Sequence, residues 1–281
     1  MPGTDVLTVI NSESRGRSLF RSRRWVGKPV CLRCSASELY RLATGQYRCK
    51  ACRYTFRDFT STYLGELRIP LKEVSHLLYL FTLGVPSYRA RRYGRCSLKT
   101  MQRTYTVFRR AIYSASLTQM KRLGGEIELD EALFGGARKG KRGWGAAGKI
   151  MVFGLLERSG QVLTFPVSSR GRGTLLPLIK KHTQPGSLYY TDDYHAYASL
   201  HLRGAHVVVS KKEGRPKGRD HINGIEGFWS YAKNWLYKYR GVTQYHFPLY
   251  LKEIEFRFNH RDEHRFDFLA DLITNLVHDP T

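Results

Sequence analysis

The 281-residue sequence predicts an α/β domain with a mixed sheet in its second half, preceded by a cysteine-containing module and a group of helices. Three observations support this prediction. Four cysteines occur as two C-x-x-C pairs, helical apolar spacing dominates residues 64–122, and strand patterns alternate with helical patterns from residue 126 onward. Three strands followed by helix, strand, helix, strand and helix are typical of a mixed sheet with helices on its faces.

The chain carries a formal net charge of +24 at pH 7, and most of that charge lies in its first half. Residues 1–125 contain 24 Lys and Arg against 6 Asp and Glu, whereas the rest contains 23 against 17. Such a surplus repels itself unless a polyanion neutralises it, and nucleic acid is the commonest polyanionic partner. A charge that serves only solubility, or an anionic membrane surface, is the alternative.

Membrane insertion and secretion are not expected. The longest apolar runs, such as residues 150–156, are far shorter than the roughly 20 residues of a membrane span. No basic segment precedes the first short apolar stretch, so a secretory signal is not expected either. The paired cysteines indicate metal ligands in a reducing compartment rather than an extracellular disulfide framework.

The cysteine module covers residues 29–58. Cys31-Leu-Arg-Cys34 and Cys49-Lys-Ala-Cys52 each offer two thiolates to one ion, and 14 residues separate the two pairs. Four thiolates at about 2.3 Å close a tetrahedral shell around Zn²⁺, which predicts a structural zinc ribbon. Spacing alone also permits a rubredoxin-like iron site. Cys96 stands alone and is expected to be a small apolar residue or a surface thiol.

The regions on either side of the ribbon differ in apolar content. Residues 1–28 combine many arginines with few apolar anchors and predict a basic flexible arm. Residues 64–122 predict a helical DNA-binding region, because residues 84–87 interrupt one helical pattern and Ser97 is a good N-cap for a second. Helix, turn and helix in a basic setting favour a helix-turn-helix. Its last helix offers Lys99, Arg103, Arg109 and Arg110 to DNA, or simply forms a solvated charged face.

The second half gives alternating strand and helix patterns. The predicted strands are residues 126–133, 149–157, 161–167, 187–191 and 206–209. The predicted helices are residues 174–182, 193–200, 223–237 and 247–259.

Three acidic residues stand out among these elements. Asp130 lies near the end of the first strand, Asp192 follows the fourth strand, and Glu226 lies near the start of a helix. Carboxylates at strand ends can converge in space, and Mg²⁺ or Mn²⁺ prefers their oxygens. Two such ions about 3.5–4 Å apart can activate a nucleophile and stabilise the leaving oxygen of a phosphodiester. Each residue also suits an ordinary turn or cap, and there are nearby rivals: Glu128, Glu131 and Asp193.

Basic residues surround these carboxylates in the sequence. Lys233 follows Glu226 by seven residues, close to two helical turns, so both side chains share one helix face. Trp229 lies between them and is expected either beside the site or in the core. Two Gly-rich basic loops are predicted to contact DNA or to be merely solvated, and their DNA-contacting candidates are Arg138, Lys139, Lys211, Lys212 and Arg215.

These motifs, in this order, resemble the DDE transposases of bacterial insertion sequences related to the Merlin transposon superfamily. The resemblance covers about residues 29–262 and rests on four segments. They are Ile127-Glu-Leu-Asp-Glu-Ala-Leu-Phe-Gly-Gly136, Thr191-Asp-Asp-Tyr194 with Tyr197, His221-Ile-Asn-Gly-Ile-Glu226 with Trp229 and Lys233, and Tyr250-Leu-Lys-Glu253 with Arg257, Asn259 and Arg261.

The resemblance implies an RNase H-like catalytic domain over residues 126–262, followed by a tail over residues 263–281. It places the metal ligands on Asp130, Asp192 and Glu226 and adds Lys233 to the signature. It implies binding of terminal inverted repeats, cleavage and strand transfer with Mg²⁺ or Mn²⁺, and a homo-oligomer on DNA. The expected location is the bacterial cytoplasm with the nucleoid, or a eukaryotic nucleus. The alternatives are a DNA-binding regulator with a degenerate catalytic domain, and an RNase H-like nuclease or resolvase without strand transfer.

Overall fold

The computed structural model describes residues 5–118, 120–135, 148–158, 160–193, 197, 200–209, 220–239 and 241–277. The chain divides into two compact units. The first combines Met1–Ala115 with Asp262–Thr281, and the second is Ser116–Arg261. Among the described helices, none has the length and apolarity that a membrane crossing requires.

The first unit begins with two helices, α1 (Val6–Ile10) and α2 (Glu13–Arg24), where we expected a flexible arm. Phe20 is fully buried and anchors α2. Arg23 forms ion pairs with Asp267 and Asp271 of α9 (Arg265–Asn275), which lies where we expected a tail. The arginine-rich segment is therefore helical because one face of α2 packs against other helices of the same unit.

The cysteine module forms a small antiparallel sheet. Its strands are β1 (Leu39–Arg41), β2 (Tyr47–Cys49) and β3 (Thr55–Phe56), with β2 in the centre. Phe56 is buried, and its ring lies 5.5 Å from the ring of Tyr47. The aromatic core thus shares one cluster with Cys31, Cys49 and Cys52.

The helical region follows as a 3₁₀ turn (Leu64–Glu66), α3 (Leu71–Thr82), α4 (Ser87–Ala90) and α5 (Leu98–Thr118). The ring of Phe81 on α3 contacts the rings of Tyr105 and Phe108 on α5 edge to face, at 5.0 and 5.5 Å between centroids. The helix, turn and helix predicted within residues 64–122 are therefore present.

The N-terminus of α3 is capped by a side chain from another helix. The Glu13 carboxylate of α2 accepts the backbone N–H groups of Leu71 and Lys72 at 3.1 and 3.0 Å. These donors belong to the first turn of α3 and have no acceptor within that helix. The contact fixes α2 to the start of the helical region.

The second unit is built on a five-stranded mixed sheet, which confirms the predicted fold class. Its strand order is β6-β5-β4-β7-β8. The strand β4 (Glu126–Phe134) pairs antiparallel with β5 (Ile150–Glu157), which pairs antiparallel with β6 (Val162–Val167). On its other side β4 pairs parallel with β7 (Leu188–Thr191), which pairs parallel with β8 (His206–Val208).

Helices cover both faces of this sheet. The helix α6 (Arg172–His182) packs on one face, where Ile127 and Leu129 of β4 are buried. The helices α7 (Asn223–Tyr237) and α8 (Phe247–Asn259) pack on the other face, where Ala132 and Phe134 are buried. The helix expected over residues 193–200 lies mostly outside the described residues, and a 3₁₀ turn is present at Leu200–Leu202.

Candidate active site and metal centres

The four paired cysteines converge on one point. The Sγ atoms of Cys31 and Cys52 lie 3.5 Å apart, those of Cys34 and Cys49 lie 3.6 Å apart, and all four lie within 4.8 Å of one another. A tetrahedral ion with bonds of about 2.3 Å would require sulfur atoms about 3.8 Å apart. The residues present therefore fit a structural zinc ion.

Backbone N–H groups also face this cluster. The N–H of Arg33 donates to the Sγ of Cys31 at 3.4 Å, and the N–H of Cys52 donates to the Sγ of Cys49 at 3.5 Å. Such donors stabilise thiolates, the ionisation state that a metal ligand needs. Each C-x-x-C turn thus points both sulfur atoms and supporting N–H groups inward. Cys96 lies apart from the cluster, partly buried, with its Sγ 3.9 Å from the Glu73 carboxylate.

Asp130 lies on β4, and Asp192 directly follows β7, the neighbouring parallel strand. The β4–β7 register pairs Glu126 with Leu188 and Glu128 with Tyr190. Continuing this register by two residues places Asp192 opposite Asp130. Because side chains alternate along a strand, Asp130 lies on the face that α7 covers, as Tyr190 does, and the same alternation continued past Thr191 predicts that face for Asp192. Asp193 is exposed and lies in a bend beyond the end of β7.

The position of Asp130 differs from the sequence expectation in one respect. We placed it near the end of its strand, but β4 continues to Phe134. The edge that exposes Asp130 arises from its neighbour, because β7 ends at Thr191, level with Leu129. A short strand beside a long one therefore opens the sheet at the level of both aspartates.

Glu226 approaches the same region from α7. It is half-buried in the first turn of that helix, and two hydrogen bonds hold α7 on β4. The backbone N–H of Ile225 donates to the Glu128 carboxylate at 2.8 Å, and the indole Nε1–H of Trp229 donates to Oδ2 of Asp130 at 3.1 Å. Glu226 lies beside the first of these contacts and one helical turn from the second.

The rival carboxylates on β4 are engaged elsewhere. Glu128 is buried and accepts from Arg158 Nε at 2.9 Å as well as from Ile225. Glu131 lies on the α6 face and accepts from the Tyr197 hydroxyl at 2.6 Å. Burial raises the pKa of Glu131 to about 7, and the charges of Asp130 and Asp192 act in the same direction, against the Tyr197 hydrogen bond and Arg170.

The charges of Asp130 and Asp192 also help to raise the pKa of Tyr197, behind the larger effect of its burial. Both carboxylates therefore act on the same two buried groups, Glu131 and Tyr197. Carboxylate oxygens are the hard ligands that Mg²⁺ and Mn²⁺ prefer. Among the described residues, only the cysteine cluster has three or more ligand atoms all within 4.8 Å. The carboxylates of Asp130, Asp192 and Glu226 do not form such a set.

The basic residues divide into several groups. Lys233 is exposed on α7, and Lys99 and Arg103 are exposed on α5. Arg109 is instead buried, with its guanidinium over the rings of Phe81 and Tyr105. Arg110 pairs with Glu66 at 2.7 Å, so neither Arg109 nor Arg110 belongs to the exposed face that we expected. The loop candidates Arg138, Lys139, Lys211, Lys212 and Arg215 lie outside the described residues.

Two residues near the carboxylates were not identified from the sequence. Arg158 contacts Glu126, Glu128 and the backbone carbonyl of His221, which precedes α7, and no local pattern distinguishes it from a surface arginine. Gly154 lies in the middle of β5, where an isolated glycine often marks a close approach of other groups. That signal was present in the sequence.

Comparison with known proteins identifies the family. Residues 122–259 match the model described as the ISXO2-like transposase domain, and residues 11–55 match the transposase zinc-ribbon domain. An uncharacterized transposase-like protein of Haemophilus influenzae is 37% identical over 103 residues, which are 36% of this chain and 84% of that protein. The chain belongs to the ISXO2-like transposase family.

A second relative extends the similarity over most of the transposase sequence. An uncharacterized protein in the transposable element ISH50 of Halobacterium salinarum is 26% identical over 270 residues, or 88% of this chain and 90% of that protein. The predicted resemblance to insertion-sequence transposases is confirmed. The zinc-ribbon match begins at residue 11 rather than 29, so it includes α2.

Proposed function

We propose that this transposase binds the terminal inverted repeats of an insertion sequence and cleaves and transfers DNA strands with two divalent metal ions. The placement of the three carboxylates supports this most directly. Asp130 lies on β4, Asp192 directly follows the adjacent parallel strand β7, and Glu226 is on the helix that covers the Asp130 face of β4. Phosphodiester chemistry requires such a cluster of hard oxygen ligands.

Asp130, Asp192 and Glu226 would hold the two ions. The ions would activate the attacking water or 3′-hydroxyl and stabilise the leaving oxygen. Lys233 binds a substrate phosphate from the same helix as Glu226. The four cysteines hold Zn²⁺ and have a structural role. The buried core beneath the carboxylates, which includes Phe134 and Phe228, keeps that sheet face rigid.

The DNA contacts follow from charge and exposure. Lys99 and Arg103 are proposed to approach DNA from α5, and the two basic loops to contact phosphates near the carboxylates through Arg138, Lys139, Lys211, Lys212 and Arg215. The surplus of positive charge in the first half favours repeat binding by that half. Cutting two element ends implies a homo-oligomer on DNA. The proposed location is the bacterial cytoplasm with the nucleoid.

Cleavage and strand transfer on the end sequences of the element, with Mg²⁺ or Mn²⁺, test this proposal. Asp192→Asn should lower the cleavage rate by about 100-fold or more, because it removes a charged metal ligand. Asp193→Asn is the matched control, since it makes the same change one residue away at an exposed position, and it should keep cleavage within about threefold of the unmodified protein.

The other possible outcomes would either refute the role of Asp192 or favour a different function. Equal cleavage by Asp192→Asn and the unmodified chain would refute the role of that residue. Binding without cleavage of any cognate end would favour a DNA-binding regulator. Cleavage without strand transfer would favour a nuclease or resolvase.

A further inference from the structure

The indole of Trp229 lies in a slot that a glycine creates next to Asp130. Gly154 of β5 is the direct antiparallel partner of Asp130 on β4. A Cβ atom at Gly154 would meet Cζ2 and Cη2 of Trp229 at 2.6 and 2.7 Å, distances that real structures do not show. Because Gly154 has no side chain, the Trp229 ring can lie against β5. The indole N–H of Trp229 then reaches Oδ2 of Asp130 at 3.1 Å.

The ring of Trp229 is held from several directions. Its exposed fraction is 4%, the ring of Phe134 lies edge to face at 5.8 Å, and the ring of Phe228 lies at 5.1 Å. Both aromatic neighbours belong to the same buried cluster of this unit. Because close-packed neighbours fix the ring, the direction of its N–H is also fixed.

A fixed donor has a specific effect on an aspartate. The terminal torsion of an aspartate is broad, so a carboxylate without such a partner can rotate. A hydrogen bond to Oδ2 restricts that rotation and orients the remaining lone pairs. Trp229 also lies one turn from Glu226 on α7, so the same bond sets the separation between β4 and the helix that carries the third carboxylate.

We propose that Trp229 is a positioning residue, which orients the Asp130 carboxylate for a divalent cation and fixes its separation from Glu226. The inference rests on the proposed function, because it concerns the same site. Groups that hydrogen-bond to metal ligands typically change metal affinity or activity by about 10- to 100-fold when they are removed. A tryptophan that only fills the core would leave metal affinity unchanged when its N–H is removed.

Trp235 on the same helix provides a matched control. Its indole Nε1 is buried and has no hydrogen-bond acceptor among the residues that the structure describes. The ring packs under the guanidinium of Arg257 at 4.4 Å. Replacing either tryptophan with phenylalanine keeps an aromatic ring and removes one N–H, but only the change at Trp229 takes a donor from Asp130.

The experiment is a Mn²⁺ titration followed by electron paramagnetic resonance on the full-length, zinc-loaded protein. Trp229→Phe should weaken Mn²⁺ binding by about 10- to 100-fold and raise the Mn²⁺ concentration needed for half-maximal cleavage. It should leave binding of the element end unchanged. Trp235→Phe should match the unmodified protein in all three measurements. Unchanged Mn²⁺ affinity in Trp229→Phe, or an equal loss in Trp235→Phe, would refute the proposal.

Failure of the underlying site is distinguishable from failure of this inference. If the unmodified protein binds Mn²⁺ no better than Asp130→Asn, the metal site and the proposed function both fail. If only Asp130→Asn loses binding and Trp229→Phe does not, the metal site stands and the role of Trp229 fails.

A second measurement on the unmodified sequence avoids any loss of folding. With ¹⁵N-labelled indole nitrogens, addition of Mg²⁺ should shift the N–H resonance of Trp229, because its acceptor becomes a metal ligand. The resonance of Trp235 should not move. A Trp229 resonance that is insensitive to Mg²⁺ would overturn the proposal.

Discussion

Arg158 holds the start of α7 against the sheet through several contacts at once. It donates to the carboxylates of Glu128 at 2.9 Å and Glu126 at 2.8 Å, and to the backbone carbonyl of His221. Its guanidinium also lies 3.6 Å from the centroid of the Tyr190 ring. The Glu128 side chain is only 1% exposed, so Arg158 is the main compensation for a buried negative charge.

Replacing Arg158 with methionine should therefore destabilise the second unit strongly. The change leaves the Glu128 carboxylate buried with the N–H of Ile225 as its main remaining donor. Removing one partner of a buried ion pair costs about 3–5 kcal/mol. A domain of about 150 residues loses about 3 °C of melting temperature per kcal/mol, so the midpoint should fall by about 10–15 °C.

Thermal denaturation followed by circular dichroism, with hydrogen exchange of the β4 amides, measures this effect. The double variant Glu128→Gln with Arg158→Met should recover about 1–3 kcal/mol relative to Arg158→Met, because no uncompensated charge remains. Arg122→Met is the matched control. Arg122 is exposed and donates to the Lys181 carbonyl at 3.1 Å, so its replacement should cost less than about 1 kcal/mol.

Two results would refute this reasoning. One is a loss of less than about 1 kcal/mol in Arg158→Met, which would mean that Glu128 does not depend on its partner. The other is a double variant no more stable than Arg158→Met, which would assign the loss to the contact with Tyr190 or His221 instead.

Two further predictions concern the first unit. Cys49→Ser should lower the bound zinc measured by mass spectrometry and weaken binding of the element end. It should leave Mn²⁺ binding at the carboxylates unchanged. Full zinc occupancy in this variant would contradict the four-cysteine site. Glu13→Ala should lower the free energy of unfolding by about 1 kcal/mol, because it removes the acceptor of two N–H groups at the start of α3. Glu13→Gln keeps one acceptor and should lose less in urea denaturation; equal stability of all three forms would show that the cap contributes nothing.

Local sequence patterns predicted the strands and helices of the second unit closely. The alternation from Glu126 and the helical spacing from Asn223 both reflect residues buried on one face, which is a local property. The preference for Asp192 over Asp193 came from the family resemblance, and the catalytic role of either residue stays a prediction. The four cysteines were predicted fully, because metal geometry restricts their spacing.

Contacts between distant residues account for what sequence patterns missed. The helix α2 contains many arginines, and its single deeply buried anchor, Phe20, gives little periodic signal. Arg109 looks like a solvated residue until α3 brings the ring of Phe81 beneath it. The hydrogen bond from Trp229 to Asp130 joins residues that are far apart in the chain, so no local sequence pattern predicts it.

The first unit is discontinuous in sequence, since Asp262–Thr281 joins Met1–Ala115. Because synthesis proceeds from the N-terminus, the whole five-stranded sheet is made after α2 and before α9. The two carboxylates that pair with Arg23 are therefore added only after the sheet is complete. A stop codon just after Arg261 would leave every strand of that sheet encoded, yet it would deprive the N-terminal helices of a packing partner. Loss of the segment Asp262–Thr281 is thus expected to affect the basic, ribbon-bearing unit first.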